Sequence, residues 1–178
     1  QIVNDLGKNA KNAARSIAIL SNEEKNSALK ILSENIIKNS EKILDANKKD
    51  IDNAKKNSLS SPLINRLTLS STSIEGISKS IEDIIKLPDP VGKVLEKWTQ
   101  PNGLEFQKIA VPIGVIGVIY ESRPNVTVDA SCLALKSNNA LILRGGSDSY
   151  HTSKELVNII NESFNEANLP NNIIQMIP

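Results

Sequence analysis

The sequence predicts an α/β protein with a helical N-terminal lead, an extended ribbon and half of a doubly wound parallel, Rossmann-like sheet. Three observations carry this expectation. Apolar residues up to position 87 recur at helical spacing. Val115–Tyr120 and Ala140–Leu143 are short apolar runs of the kind expected of parallel strands buried on both faces. Helix-length segments separate these runs from each other and from Ile173–Ile177, so the order is β-α-β-α-β.

Residues 1–57 read as helices. Ser21 and Glu24 have capping-box spacing, and Ala28, Leu29, Leu32, Ile36, Ile43 and Leu44 keep near-helical spacing with a break near Asn39–Ser40. Ser61-Pro62 reads as an N-cap followed by proline at the first helical position. Thr72 with Glu75 marks a further start, and Ile74, Ile77, Ile81, Ile84 and Ile85 form one stripe behind it. Pro88 and Pro90 make Leu87–Gly92 a stiff connector. Val94–Gln100 and Leu104–Val111 read as extended around a Pro101-Asn102-Gly103 turn. Trp98 and Phe106 on this ribbon could contact a partner subunit or cover the core, and core coverage is the expectation.

Asn125 is expected to cap a helix running to about Ser137, and Asn138-Asn139 to turn the chain into the second strand. A helix from about Thr152 to Ala167 carries Leu156, Ile159, Ile160 and Phe164 on one face, and Leu169-Pro170 ends it. The parts are then a lead at 1–87, a connector and ribbon at 88–112, and a β-α-β-α-β unit at 113–178. The chain starts at Gln1 and stops at an apolar run, Ile173–Pro178, so it is expected to be part of a longer protein.

Composition bounds the function. Net charge is +1 with Lys and Arg interleaved with Asp and Glu, which argues against a nucleic-acid-binding stripe. No apolar run approaches a bilayer span, and no signal peptide is evident at the start. A single cysteine, Cys132, precludes an internal disulfide and suits a reducing compartment. One histidine, His151, and one cysteine cannot assemble a common zinc site, so no metal is expected. Cys132 lies mid-helix in an apolar setting and is expected to be inert.

Ligands of open parallel sheets bind outside the carboxyl ends of the strands. Two elbows fall there. Glu121, Ser122, Arg123 and Asn125 place a carboxylate, a hydroxyl, a guanidinium and an amide after the first strand, ahead of a helix N-terminus. Arg144, Gly145, Gly146 and Ser147 follow the second strand, with glycines that admit a ligand close to the backbone or permit positive φ. The usual G-x-G-x-x-G fingerprint is absent. Gly114 and Gly117 are expected to serve close packing of the first strand against a neighbour.

The blocks VPIGVIGVIYESRPNVTVDA at 111–130 and ALILRGG at 140–146 resemble the gamma-glutamyl phosphate reductase family of the aldehyde dehydrogenase superfamily. LPDPVG at 87–92, KILDANKKDI at 42–51, PLINRL at 62–67 and the PNGL turn extend the resemblance over nearly the whole chain. It implies the aldehyde dehydrogenase fold. It also implies NADPH-dependent reduction of L-glutamyl 5-phosphate to L-glutamate 5-semialdehyde with phosphate release, in cytoplasmic proline biosynthesis. A homo-oligomer and functional coupling to glutamate 5-kinase are implied for the complete protein. The family's catalytic cysteine lies in a Gly-rich segment that this chain lacks, and Cys132 does not match it. An ungapped match puts Arg123 where the wider superfamily has an oxyanion-holding Asn, although a shift in the elbow would bring Asn125 nearer that role. Arg144 falls where the superfamily has a ribose-binding Lys. These matches make Arg123 and Asn125 candidate oxyanion or acyl-phosphate contacts, and Arg144 with Gly145, Gly146 and Ser147 the cofactor-binding set. Two other readings stand beside this one: an NAD(P)-dependent aldehyde dehydrogenase of another substrate class, and a non-catalytic nucleotide-binding or assembly module.

Overall fold

The computed structural model describes residues 1–178, and one core runs through it from the first helix to the last strand. Seven helices and five strands follow in the order α1 (Ile2–Ile17), α2 (Asn22–Lys38), α3 (Ser40–Lys56), α4 (Ser61–Leu67), α5 (Ser71–Lys86), β1 (Val94–Thr99), β2 (Glu105–Ile109), β3 (Val115–Ile119), α6 (Pro124–Lys136), β4 (Ala140–Arg144), α7 (Tyr150–Glu166) and β5 (Ile174–Met176). The sheet β3-β4-β5 is parallel throughout, with Ile119 opposite Arg144 and Leu141 opposite Ile174. The expected α/β order and parallel sheet are therefore present.

The layers follow from which faces are apolar. α1 lies across all three parallel strands and buries Ala10, Ala13, Ala14 and Ile17. Small residues on that face let the helix approach the strands closely. Gln175 donates to the Leu6 carbonyl at 3.0 Å, and Asn138 to the Ile17 carbonyl at 2.8 Å, so both halves of α1 are tied down. α6 and α7 pack on the strands and on each other, and α2, α3 and α5 form a further layer beneath them. The lead helices thus pack on the α/β unit and do not form a separate bundle.

The helix punctuation is partly as expected. Ser21 and Glu24 form a reciprocal capping box, with both bonds present. α2 breaks at Asn39, where expected. α5 starts earlier than Thr72, because Ser70 and Ser73 form the box instead. Ser60, not Ser61, is the N-cap residue of α4. α6 begins at Pro124 with Arg123 in the cap position and no side-chain cap, so Asn125 is inside the helix. Proline, with its preset φ, starts this helix where an amide cap was expected.

Two expectations about burial are corrected. The hairpin β1–β2 is antiparallel and exposed along its whole length, and Trp98 and Phe106 stack on each other, with centroids 5.4 Å apart, instead of covering the core. β3 is the edge of the parallel sheet and is only half-buried, with Ile119 exposed, because no strand of this chain lies on its free side. Nothing within this chain packs closely on its glycines. A side chain at Gly114 or Gly117 would meet nothing within 4 Å, and Gly114 is needed for its φ of +112°.

A polar cluster fastens the connector after α5. Lys25, fully buried, donates to Asp89 at 2.7 Å and to the Lys136 carbonyl at 3.1 Å. Lys136 in turn reaches Asn22, Asn26 and the Ile85 carbonyl. Two ammonium groups thus sit against the C-terminal ends of α5 and α6, where the helix dipoles favour positive charge.

Candidate functional site

The two elbows meet at the carboxyl edge of the parallel sheet. Register puts the ends of β3 and β4 side by side, and the Tyr120 N–H donates to the Arg144 carbonyl at 3.1 Å. The first elbow is sharp. Arg123 N–H donates back to the Glu121 carbonyl at 2.6 Å, a three-residue turn that leads straight into α6. Glu121 and Arg123 emerge exposed, and Arg123 enters no ion pair. Ser122 turns inward, is buried, and donates at 3.3 Å to Asp148, the residue that follows the second elbow.

Of the two reasons expected for the glycines of the second elbow, positive φ does not apply, and the packing of the elbows supplies another. Neither has positive φ. A Cβ on Gly145 would stand 3.1 Å from the Tyr120 hydroxyl, and one on Gly146 would stand 3.4 Å from the Ser122 backbone nitrogen. They let the elbows pack on each other. Tyr120 is held there by a 2.6 Å hydrogen bond to Thr127, which reaches Ser153 of α7 at 3.4 Å.

Arg144 and Ser147 line a depression of about 430 Å³ together with Asn53, Asn57, Asp148 and His151. The Arg144 guanidinium folds back on the Gly145 carbonyl and has no carboxylate partner. His151 is exposed at the start of α7. The floor of the depression is built by Asp50 of α3, a residue the sequence reading did not single out. Its buried carboxylate accepts from His151 N–H at 3.0 Å, Thr152 N–H at 2.7 Å and Thr152 Oγ1 at 2.6 Å. Those N–H groups are therefore engaged by the protein, in keeping with the missing glycine fingerprint. The only sequence signal is an acidic residue inside KILDANKKDI; its partners lie about a hundred residues away.

Asn125 lines a second cavity of about 370 Å³, between α4, α5 and the start of α6. Glu121, Ser122 and Arg123 line neither cavity. Cys132 is fully buried within α6, and burial, reinforced by the nearby Asp129 charge, drives its thiol pKa far above the ordinary range. No group of three or more His, Cys, Asp or Glu is arranged to hold a metal ion, and no helix is long and apolar enough to cross a membrane.

No protein-family model matches the chain. Across all 178 residues it is 46% identical to the gamma-glutamyl phosphate reductase of Brucella suis biovar 1, of which it covers 42%. Its structure superposes with a TM-score of 0.94 on the gamma-glutamyl phosphate reductase of Thermotoga maritima, at 38% identity, over 97% of this chain and 42% of that one. An acetylating aldehyde dehydrogenase from Geobacillus thermoglucosidasius shares the fold, with a TM-score of 0.72 at 13% identity over 99% of this chain and 36% of that one. The chain is homologous along its length to gamma-glutamyl phosphate reductases and has the aldehyde dehydrogenase fold. It spans about two-fifths of the length of the curated relatives it matches.

Proposed function

We propose that this chain is the cofactor-binding portion of an enzyme that reduces L-glutamyl 5-phosphate to L-glutamate 5-semialdehyde with release of phosphate, in cytoplasmic proline biosynthesis. The observation that carries the reading is the 46% identity maintained over the whole chain to a gamma-glutamyl phosphate reductase. In this reading a cysteine thiolate from beyond these residues displaces phosphate from the acyl phosphate, and the resulting thioester is reduced. NADPH supplies the hydride when bound. Cys132, buried with a raised pKa, is not the nucleophile.

The elbows divide the work. Arg144 carries a guanidinium without an ion-pair partner, beside the hydroxyl of Ser147 and the amides of Asn53 and Asn57. That donor set suits a ribose and its 2′-phosphate, with Gly145 and Gly146 keeping the elbow low. Arg123 and Asn125, with Glu121 and Ser122 in the same turn, sit where the reacting carbon would meet the sheet edge. There Arg123 holds the acyl phosphate or the oxyanion. The exposed β1–β2 ribbon is the surface for a second copy of the chain. Coupling to glutamate 5-kinase, which makes the acyl phosphate, belongs to the same reading.

The reverse reaction tests this in the complete protein. Glutamate 5-semialdehyde with NADP⁺ should yield NADPH only when inorganic phosphate is present. Oxidation indifferent to phosphate and preferring NAD⁺ would make the protein an ordinary aldehyde dehydrogenase.

A further inference from the structure

The cavity beside Asn125 contains one cation and one anion that do not neutralise each other. Arg66, in the last turn of α4, is exposed and forms no ion pair. Its backbone is fixed from below: Asn47 donates to the Leu67 carbonyl at 2.9 Å and accepts from Leu69 N–H at 2.8 Å, pinning the chain on both sides of Thr68. Asp129, one turn into α6, is half-buried and also held. Ser80 of α5 donates to one of its oxygens at 2.9 Å, and Asn125 approaches the other at 3.4 Å. These two contacts leave carboxylate lone pairs free, since an ionised carboxylate offers about four acceptor sites. Thr68 and Ser73 add hydroxyls to the lining. The volume, about 370 Å³, is within the range of small-molecule sites.

We propose that this cavity recognises the α-amino acid head of the substrate, with Arg66 binding the α-carboxylate and Asp129 the α-ammonium. The inference rests on the functional reading above and adds the residues that make the enzyme specific for an amino-acid acyl group. A guanidinium fork matches a carboxylate in two parallel bonds, and a pre-positioned carboxylate matches an ammonium. Asn125 lines this cavity and lies in the first turn of α6, two residues after Arg123 of the elbow, so a chain held by its head here extends its acyl end toward Arg123. Ser80 acts through Asp129 as a positioning residue.

The test uses the complete protein in the aldehyde-oxidising direction, with NADP⁺, phosphate and four aldehydes. Glutamate 5-semialdehyde has both head groups, 5-oxopentanoate lacks the ammonium, 4-aminobutanal lacks the carboxylate, and butanal lacks both. Asp129→Asn should raise KM for glutamate 5-semialdehyde by roughly tenfold to a hundredfold and leave 5-oxopentanoate unaffected. Arg66→Gln should raise KM for both carboxylate-bearing aldehydes by a similar factor and spare 4-aminobutanal. Asp129→Asn keeps the side chain's shape, Arg66 is exposed, and thermal melting checks that each variant folds. Equal losses on all four aldehydes, or no loss on any, would overturn the inference alone. If the unaltered protein oxidises none of them with NADP⁺ and phosphate, the functional reading falls and this inference with it.

Discussion

Replacing Asp50 with alanine removes the carboxylate that joins α3 to the start of α7. Three hydrogen bonds disappear at once, from His151 N–H, Thr152 N–H and Thr152 Oγ1, at 3.0, 2.7 and 2.6 Å. Hydrogen bonds to a charged group each contribute about 1.5–3 kcal/mol, but bonds to one residue are not additive. Loss of a helix cap alone costs about 0.5–2 kcal/mol. Asp50 is 2% exposed, so the orphaned donors would be left without ready access to water. The expected loss is about 3–5 kcal/mol, a large fraction of a typical total of about 5–15 kcal/mol. At about 2–4 °C per kcal/mol for a protein of this size, Tm should fall by about 6–20 °C. Asp50→Asn keeps the volume but turns an amide toward one N–H donor, and should lose roughly half as much. Thermal and urea denaturation followed by circular dichroism read Tm and stability for both variants. The N-terminus of α7 also borders the Arg144 depression, so a folded Asp50→Asn protein should bind NADPH more weakly. A Tm within 2 °C or so of the parent for the alanine variant would refute the structural role assigned to this carboxylate.

Cys132→Ala in the complete protein should leave turnover nearly intact and cost roughly 1 kcal/mol of stability. The native thiol should resist alkylation until the protein unfolds, and rapid labelling with loss of activity would contradict its burial. Acid should release the connector after α5. Burial pushes the Asp89 carboxyl pKa up, but the Lys25 hydrogen bond, the Val91 N–H and the charges of Lys25 and Lys136 outweigh this and hold it below the ordinary value. A depressed folded pKa gives stability that is fully present above the unfolded value of about 3.9 and is lost as pH falls through the folded one. Asp89→Asn should therefore lower stability at neutral pH and flatten its decline on the acid side, as measured by denaturation across pH; an unchanged acid limb would show that the Lys25–Asp89 pair contributes nothing.

What the sequence made legible was local. Val115–Tyr120 and Ala140–Leu143 announce strands because their neighbours along the chain suffice to define an apolar run. Ser21–Glu24 announces a cap because both partners lie within one turn. The elbows follow from topology, since carboxyl ends of parallel strands can be located without knowing the contacts there. What was hidden depends on distant partners. Asp50 reads as one more charged helix residue until α7 arrives over it. Gly145 reads as a flexible turn until Tyr120 occupies the space a side chain would need. Trp98 and Phe106 suggested a core because aromatic residues usually find one; here they lie directly opposite each other on an exposed ribbon and stack together. Arg66 and Asp129 lie 63 positions apart, and they share one cavity because α4 packs on α3 and α5 on α6.

The division of labour between the elbows is tested most directly by steady-state kinetics of Arg123→Ala in the complete protein, set beside Arg144→Ala. A preorganised donor at a developing oxyanion contributes on the order of 3–4 kcal/mol. Arg123→Ala should therefore lower turnover of L-glutamyl 5-phosphate by roughly a hundredfold to a thousandfold, or its affinity, with KM for NADPH unchanged. Arg144→Ala should do the reverse, raising KM for NADPH by roughly tenfold to a hundredfold and leaving the acyl phosphate unaffected. Two folded variants with parental kinetics toward both substrates would contradict a functional site at the carboxyl edge of this sheet.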